Sequence, residues 1–393
     1  MFPRPVREVS YSGGDFAALC GPDGDVMRQV EAGTEIGAPT TSLPTEMHAG
    51  VYHGSGAVRM ESVPVPEIFE GEVLIRVAAC GICGTDVKKV RHNLVRPPQI
   101  LGHEIAGTIA KVASGVTQWS VGDRVVSFHH IPCSACFYCE RELFSQCPEY
   151  KKVGVTAGFE PNGGGFAQYV RVMSRIVNRG MVSIPDDVMF EEATFVEPVN
   201  TCLKAIHKAR IAPEEVVFVL GQGPIGLLLT FLARKAGATV FSSDLLPFRR
   251  KMSIRFGSQM CFDPAVTDPA EEVRQYRSGL GADAVLLAVP DTKLVISALN
   301  IARPGGRVLL FAQNDPVTQI QFPAAAVGVE EKEILGSYSA SIGCQELSAK
   351  LVFEHHALFG ELICHRFPLE AIAQAFAIAS EPADDSLKVV VLP

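Results

Sequence analysis

The sequence predicts a two-domain α/β protein in which an all-β domain precedes a doubly wound parallel sheet. Residues 48–126 contain short apolar runs that alternate with polar residues and are separated by Gly and Pro, which is typical of antiparallel strands. After Ala193, continuous apolar strand patterns alternate with helix-like stretches, which is typical of a parallel sheet. A length of 393 residues is enough for two or three domains of ordinary size.

These patterns divide the chain into four segments. Residues 1–47 are rich in Gly, Pro, Thr and Asp without a helix or strand period, and we interpret them as a loosely packed N-terminal extension. Residues 48–195 form the β domain and residues 196–339 the parallel-sheet domain. Residues 340–393 end in a strand pattern that has no place in the parallel sheet, so we expect this segment to complete the β domain.

Individual strands can be predicted within both domains from their apolar patterns. In the β domain we expect strands at 72–78, 104–112 and 123–127. In the parallel sheet we expect strands at 216–220, 239–244, 284–289 and 307–311. In the last segment we expect a helix near 369–380 and a strand at 386–392.

Composition and charge exclude several classes of partner. The chain has 43 acidic against 35 basic side chains, a formal charge of -8, so it lacks the basic surface that binding to nucleic acid requires. Its most apolar stretch, 216–233, is interrupted by Gly, Gln and Pro and does not predict a membrane-spanning helix. The N-terminal segment carries no secretory signal pattern, so we expect a cytoplasmic protein whose 11 cysteines are thiols or metal ligands.

Four cysteines give the sharpest local signal. Cys133, Cys136, Cys139 and Cys147 form a C-x2-C-x2-C-x7-C series that can direct four thiolates at one ion. Four sulfur ligands leave no open position, so the series predicts a structural zinc. Incidental core thiols, a redox pair or an iron–sulfur cluster are the alternatives.

A second set of potential ligands is dispersed along the chain. Cys83 lies in a Cys-Gly-Thr-Asp segment, His103 and Glu104 follow Gly102, and Glu197 precedes a proline. Each piece alone is weak, because such residues occur often in loops and at helix starts. Together they can supply S, N and O ligands and leave a position for substrate, as in a catalytic zinc site. The nearby Cys80 follows an alternating strand, and we interpret it as core packing rather than as part of a redox pair.

A glycine-rich turn follows the strand predicted at 216–220. Gly221, Gly223 and Gly226 form G-x-G-x-x-G, and Pro224 and Ile225 begin the apolar helix behind it. In this setting the glycines permit a tight turn, an approach to a pyrophosphate and close helix–strand packing. The pattern therefore predicts a dinucleotide site; a tight turn without a ligand is the alternative.

The next strand ends at Asp244, 18 residues beyond Gly226. A carboxylate at this position can accept hydrogen bonds from the adenosine ribose and would repel a 2′-phosphate, which favours NAD over NADP. Arg249 and Arg250 lie just beyond, and a nearby arginine can accommodate such a phosphate, which weakens the preference. We include Arg249 among the cofactor-binding candidates.

Taken together, residues 48–393 resemble the zinc-dependent medium-chain dehydrogenase/reductase family, which includes alcohol, sorbitol and threonine dehydrogenases. The resemblance rests on the segments 102–116, 121–125 and 163–169, which follow one another as the family's signatures do. It implies a GroES-like catalytic domain around a central Rossmann domain, usually assembled as a homodimer or homotetramer.

The resemblance also implies roles for individual residues. Cys83 and His103 match the ligands of the catalytic zinc, and Glu197 stands where the family has its third ligand. Glu104 is ambiguous, because in sorbitol dehydrogenase-like members the glutamate after the histidine binds or approaches the metal. Thr85 matches the hydroxyl that contacts the substrate oxygen and passes its proton outward.

Three further residues near these motifs are expected to be peripheral. Lys88 replaces a histidine that extends the proton relay in many members, and we favour a position in solvent for it. His129 and His130 precede the cysteine series and can line the pocket, but a packed or surface role is favoured. Lys88 and Lys89 together form a short charge run whose default is a solvated face.

The combined prediction is a zinc-dependent oxidoreductase that transfers a hydride between a secondary alcohol or polyol, or the matching ketone, and NAD. Its cofactors would be one catalytic zinc, one structural zinc and NAD. One alternative is a biosynthetic NAD(P)H-dependent reductase of a ketone or imine, and another is a non-catalytic, zinc-stabilised binding protein. The sequence leaves open the substrate, the stereochemistry, the physiological direction, the subunit number and the choice between Glu104 and Glu197.

Overall fold

The structure, a computed structural model, describes residues 43–150, 163–311, 319–381 and 386–393. It confirms the predicted fold class, since a mixed β domain is joined to a parallel α/β domain. The predicted extension lies outside the described residues except for 43–47, and Glu46 and Met47 already belong to the first strand. Within the described residues, no helix has both the length and the apolar character needed to cross a bilayer.

Sixteen strands lie within the described residues. They are β1 Glu46–Tyr52, β2 Val58–Pro64, β3 Val73–Gly81, β4 Gln99–Ile100, β5 Glu104–Val112, β6 Arg124–Ser127, β7 Tyr169–Val172, β8 Met181–Ser183, β9 Val216–Leu220, β10 Thr239–Ser243, β11 Met260–Phe262, β12 Ala282–Leu287, β13 Ala302–Leu310, β14 Glu333–Gly336, β15 Ile363–Pro368 and β16 Lys388–Leu392. The bounds of β5 and β9 match the predicted strands.

Twelve α-helices lie within the same residues. They are α1 Gly84–Arg91, α2 Ser174–Arg179, α3 Phe190–Ala193, α4 Val196–Lys208, α5 Pro224–Lys235, α6 Pro247–Arg255, α7 Pro269–Tyr276, α8 Lys293–Ile301, α9 Ala324–Gly328, α10 Gln345–Glu354, α11 His356–Gly360 and α12 Ile372–Ser380. Short 3-10 helices lie at Cys139–Arg141, Phe144–Gln146, Ile342–Cys344 and Leu369–Ala371.

The β domain contains a small and a large sheet. The small sheet has the order β2-β1-β4, and the large one has the order β15-β16-β3-β5-β6-β8, with β7 also paired to β3. Strand β16 lies between β15 and β3, so the last strand of the chain shares a sheet with the strand that precedes Cys83. This pairing brings Lys388, the first residue of β16, close to Ile82 and Cys83.

The β domain is not purely β, as the sequence had suggested. Helices α1, α2 and α3 lie within 48–195. Helix α1 has a polar sequence without an apolar period, and a capping box formed by Cys83 and Asp86 begins it. Val90 then packs it into the domain core. Capping and tertiary packing therefore form a helix that the apolar pattern did not predict.

The second domain is a six-stranded parallel sheet with the order β11-β10-β9-β12-β13-β14. All five residues of β9 are buried, because helices cover both faces of the sheet, and two apolar clusters pack against these faces. The order reverses between β9 and β12, since the chain builds outward from β9 first on one side and then on the other. Ligands of doubly wound sheets bind outside the carboxyl ends of the strands at such a reversal.

Candidate active site

A cavity of about 1210 Å³ lies between the two domains at this reversal point. Its wall on the β-domain side includes Cys83, Thr85, His103 and Glu104. Its opposite wall includes the glycine turn from Gly223 to Gly226, and Glu197 at the start of α4 also lines it. The structure therefore brings the dispersed candidate ligands and most of the glycine turn to one cavity.

The first turn of α1 organises Cys83 and His103. Cys83 is the N-cap residue of this helix, and its sulfur accepts a hydrogen bond from the backbone amide of Thr85 at 3.4 Å. Asp86, which is fully buried, accepts from the backbone amide of Cys83 at 3.1 Å and lies 3.3 Å from Nδ1 of His103. Burial would lower the pKa of His103, but Asp86 and Cys83 outweigh burial and raise this pKa well above its ordinary value.

Glu104 is held by a buried cation that the sequence did not reveal as part of the site. Its carboxylate forms an ion pair with Lys388, which also donates to the carbonyl of Ile82 at 3.1 Å. Gly81 makes room for this pair, because a Cβ there would lie 2.0 Å from Oε2 of Glu104. Burial would lower the pKa of Lys388, but Glu104 outweighs burial and raises it.

Glu197 lies apart from the other three candidate ligands. The sulfur, ring nitrogen and carboxylate oxygen of Cys83, His103 and Glu104 all lie within 4.8 Å of one another, and this group does not include Glu197. Glu197 instead lies 3.4 Å from Nδ1 of His129. Burial raises the pKa of Glu197 to about 7, and the neighbouring Glu104 adds to this shift while His103 opposes it.

The compact group of three has the chemistry of a zinc site. Sulfur, imidazole nitrogen and carboxylate oxygen are the usual zinc ligands, and donors around a tetrahedral zinc lie about 3 to 4 Å apart. Oε2 of Glu104 is buried, and the ion pair with Lys388 balances its charge. Cys83, His103 and Glu104 therefore fit a divalent cation, and three protein donors leave a position for substrate.

Three residues that we expected to be peripheral line the cavity. His129 is buried, and Lys88 and His130 are partly buried. His129 packs against Phe128 and His130 packs against Tyr150, which agrees with the packed role favoured for them. Both histidines and the partly exposed Lys88 nevertheless lie at the cavity wall. Local patterns could not show this, because α1 and the segment after β6 only meet at the cavity after folding. Thr85 is half-buried on the same wall, and its role in proton transfer stays a prediction.

The four clustered cysteines form a second compact group. The sulfur atoms of Cys133, Cys136, Cys139 and Cys147 all lie within 4.8 Å of one another, with the sulfurs of Cys136 and Cys139 at 3.6 Å. The backbone amide of Ala135 lowers the pKa of Cys133 to about 7, and the neighbouring thiols add to this effect. Four convergent sulfurs, one of which ionises readily, fit a tetrahedral metal ion with no open position.

The glycine turn has the geometry that the sequence predicts. Gly221 adopts a φ of +87°, and a Cβ there would lie 2.5 Å from Val289. A Cβ on Gly226 would lie 1.9 Å from the carbonyl oxygen of Gly221, so helix α5 and the turn can approach only because this residue is glycine. Gly223 is the N-cap of α5, and its backbone faces the cavity. The helix N-terminus is thus accessible to an anionic ligand.

Asp244, Arg249 and Arg250 are each held by hydrogen bonds to the backbone. Asp244 accepts hydrogen bonds from the backbone amides of Gln222 at 2.7 Å and Leu246 at 2.9 Å. Arg250 donates to the carbonyl of Asp244 at 2.9 Å and lies 3.1 Å from the carboxylate of Asp263. Arg249 donates to the carbonyl of Ser386 at 3.0 Å, and its guanidinium lies beside Gly223. Arg249 is therefore near the phosphate end of the dinucleotide turn.

This fold and this site define a class of proteins, the metal-binding oxidoreductases that use a dinucleotide. Comparison with known families agrees with this class. Residues 69–186 match the alcohol dehydrogenase GroES-like domain, and residues 224–353 match the zinc-binding dehydrogenase family. The chain belongs to the zinc-dependent medium-chain dehydrogenase/reductase family, and it is an enzyme of the dehydrogenase class.

Individual relatives cover nearly the whole chain. A sorbitol dehydrogenase of Bacillus subtilis (strain 168) is 29% identical over 90% of this chain and 99% of its own length. A zinc-binding dehydrogenase of Sinorhizobium meliloti 1021, solved with NADP, is 27% identical with a TM-score of 0.80 and covers 89% of this chain and all of its own. Galactitol-1-phosphate dehydrogenase of Escherichia coli is 27% identical with a TM-score of 0.78, covering 88% of this chain and 100% of its own.

Proposed function

We propose that this enzyme transfers a hydride between a secondary alcohol or polyol and NAD, at a zinc held by Cys83, His103 and Glu104. The observation that carries the proposal is the single cavity that contains both this donor group and the dinucleotide turn. A hydride donor and its acceptor must be adjacent, and the cavity between the domains provides that arrangement.

Glu104 is the third ligand in this proposal, and Glu197 is not. The oxygen of Glu104 lies with the sulfur of Cys83 and the nitrogen of His103, whereas Glu197 contacts His129. A second zinc would be held by Cys133, Cys136, Cys139 and Cys147 in a structural role, since these four thiols leave no position for substrate. We thus expect about two zinc ions per chain.

The chemistry divides between the bound groups and the chain. When bound, zinc polarises the substrate oxygen and NAD accepts the hydride. Cys83, His103 and Glu104 would hold the zinc, and Asp86 orients the ring of His103 through Nδ1. Thr85 lies on the same cavity wall, where its hydroxyl can take the substrate proton and pass it towards solvent. Lys388 holds the Glu104 carboxylate in place.

NAD is the dinucleotide that the residues around β10 favour. Asp244 places a carboxylate at the end of this strand, where it would accept ribose hydroxyls and repel a 2′-phosphate. Arg250 is already engaged with the carbonyl of Asp244 and the carboxylate of Asp263, and Arg249 is engaged with the carbonyl of Ser386. The relative solved with NADP makes a direct test necessary.

Replacing Asp244 with alanine should lower the ratio of kcat/KM for NAD to that for NADP by at least about 10-fold, because both the ribose acceptor and the repelling charge are lost. Steady-state rates with the two cofactors measure this ratio. Asp268→Ala provides the matched control. Asp268 is also an aspartate that accepts a backbone hydrogen bond, but it is the N-cap residue of α7, so its loss should leave the ratio unchanged. An unchanged ratio for Asp244→Ala would contradict the assignment.

Other sequence predictions remain proposals. We propose the domain limits given above, a cytoplasmic location and a homodimer or homotetramer. Strand β14 is one edge of the six-stranded sheet, and its residues are at least partly exposed, so among the described residues its outer side is open to a strand of a second copy.

The direct test is an NAD-linked absorbance screen of the zinc-loaded enzyme. Sugar alcohols, diols, amino alcohols and simple secondary alcohols would be offered with NAD, and the matching ketones and imines with NADH. We expect oxidation of polyols, in agreement with the sorbitol dehydrogenase relative. Turnover only in the reductive direction would favour the reductase alternative, and no turnover with two bound zinc ions would favour a binding protein.

A further inference from the structure

The lining of the cavity carries an excess of positive charge. The described residues that line it include the basic side chains Lys88, Lys89, Arg96, Arg249 and Lys388, whereas Glu104 and Glu197 are its only carboxylates. This excess is unexpected in a chain with a formal charge of -8. A basic lining within an acidic protein needs a local explanation.

Two of these cations already have roles within the site. Lys388 is paired with Glu104, and Arg249 lies beside Gly223 at the dinucleotide turn. The remaining three, Lys88, Lys89 and Arg96, come from α1 and the loop that follows it. These three side chains therefore lie on the β-domain wall of the cavity, whereas the glycine turn belongs to the parallel-sheet domain.

Helix α1 directs its two lysines into the cavity. Residues three and four positions apart share a face of a helix, so Lys88 and Lys89 lie on the face of Thr85. Both side chains are partly buried and line the cavity together with Thr85.

Lys89 and Arg96 form no close pair with a carboxylate among the described residues, although the charge of the buried Asp86 acts on Lys89 from the same helix. Within the described residues, neither side chain forms a hydrogen bond or an ion pair. No carboxylate among the cavity residues is left to balance them, since Glu104 is held by Lys388 and Glu197 lies against His129. Lys89 is partly buried and Arg96 is exposed, and both belong to the cavity lining, so both cations are available to an anionic ligand in the cavity.

We propose that the substrate carries an anionic group, a phosphate or a carboxylate, in addition to the hydroxyl that is oxidised, and that Lys89 and Arg96 bind this group. The proposal rests on the proposed function, because it assigns the reacting hydroxyl to the Cys83, His103 and Glu104 centre. Lys89 lies about 6 Å along the helix from Thr85, given a rise of about 1.5 Å per residue. The anionic group is thus several carbon atoms away from the reacting hydroxyl.

The test compares matched six-carbon substrates on the zinc-loaded enzyme with NAD. Sorbitol is the neutral substrate, sorbitol 6-phosphate carries a phosphate and gluconate carries a carboxylate. At low salt we expect kcat/KM for at least one anionic substrate to exceed that for sorbitol by at least about 10-fold. This preference should shrink as salt is raised to about 0.15 M, where charges on the substrate are screened. The better anionic substrate identifies the group.

The double variant Lys89→Gln/Arg96→Gln locates the recognition. This variant should reduce the ratio of kcat/KM for the anionic substrate to kcat/KM for sorbitol towards one. A general loss of activity would lower both values and leave this ratio unchanged. The matched control is Arg59→Gln/Lys111→Gln, which removes the same charge from exposed positions on β2 and β5. The control should keep the ratio of the unmodified enzyme.

The outcomes separate this inference from the function on which it rests. Turnover of sorbitol without a preference for either anionic substrate overturns the inference and leaves the proposed function intact. A preference that survives in Lys89→Gln/Arg96→Gln also overturns it, because the anionic group then binds elsewhere. Failure of every alcohol and ketone to react with two zinc ions bound overturns both.

Discussion

Replacing Cys83 with alanine should reduce kcat by at least about 1,000-fold, because a metal centre contributes several kcal/mol to the stabilisation of the transition state. Cys83 supplies the only sulfur in the candidate catalytic group, and it also caps α1. Metal analysis of the purified variant should fall from about two zinc ions per chain to about one. Binding of NADH, followed by fluorescence titration, should persist because the glycine turn lies on the other domain.

The matched control for this experiment is Cys261→Ala. Cys261 is a partly buried thiol on β11 that belongs to neither cysteine group, so its loss should leave two zinc ions and normal turnover. Glu104→Gln and Glu197→Gln extend the comparison, since the first should lose the catalytic zinc and the second should retain it. Full activity of Cys83→Ala would remove the basis for the proposed centre.

Replacing Lys388 with methionine should destabilise the metal-free protein more than the zinc-loaded protein. Lys388 and Glu104 are both buried, and removing one member of such a pair costs about 3–5 kcal/mol. In the zinc-loaded protein the metal would still balance the charge of Glu104, so the loss should be smaller. Thermal melts with and without a chelator measure the difference, since each kcal/mol shifts the melting temperature by about 2–4 °C.

Lys332→Met provides the control for this prediction. Lys332 is also buried, donates to the carbonyl of Leu299 at 2.7 Å and pairs with Glu330. It lies in the other domain, away from both candidate metal groups, so its loss should destabilise the protein equally with and without zinc. An equal loss for Lys388→Met in the two states would show that Glu104 does not contact the metal.

The sequence predicts eight of the sixteen described strands, because these eight carry their own apolar patterns. Strand β9 is fully buried on both faces, and its five apolar residues are recognisable without any tertiary information. Helix α1 could not be predicted in this way. Its sequence is mostly polar, and its stability depends on the capping by Cys83 and Asp86 and on the packing of Val90. These interactions involve side-chain geometry that no periodic pattern records.

The candidate site shows the same limit at larger sequence separation. The glycine turn and the four cysteines are local motifs whose spacing is informative by itself. Lys388 lies in a strand whose apolar neighbours only indicate burial, and its partner Glu104 is far away in the sequence. Likewise, His129 faces Glu197 only after two segments fold together. Charge pairs of this kind leave no local signature.

The position of β16 has a consequence for how the protein is made. This strand completes the sheet beside β3, and Lys388 at its start contacts Ile82 across 306 residues of chain. The entire dinucleotide domain must therefore be synthesised before the first domain can close, so folding of the nascent polypeptide cannot proceed strictly from the N-terminus. Pairing between such distant segments slows folding. Until β16 pairs with β3, the edge of the sheet is exposed to misassembly, and a chaperone would protect it during this time.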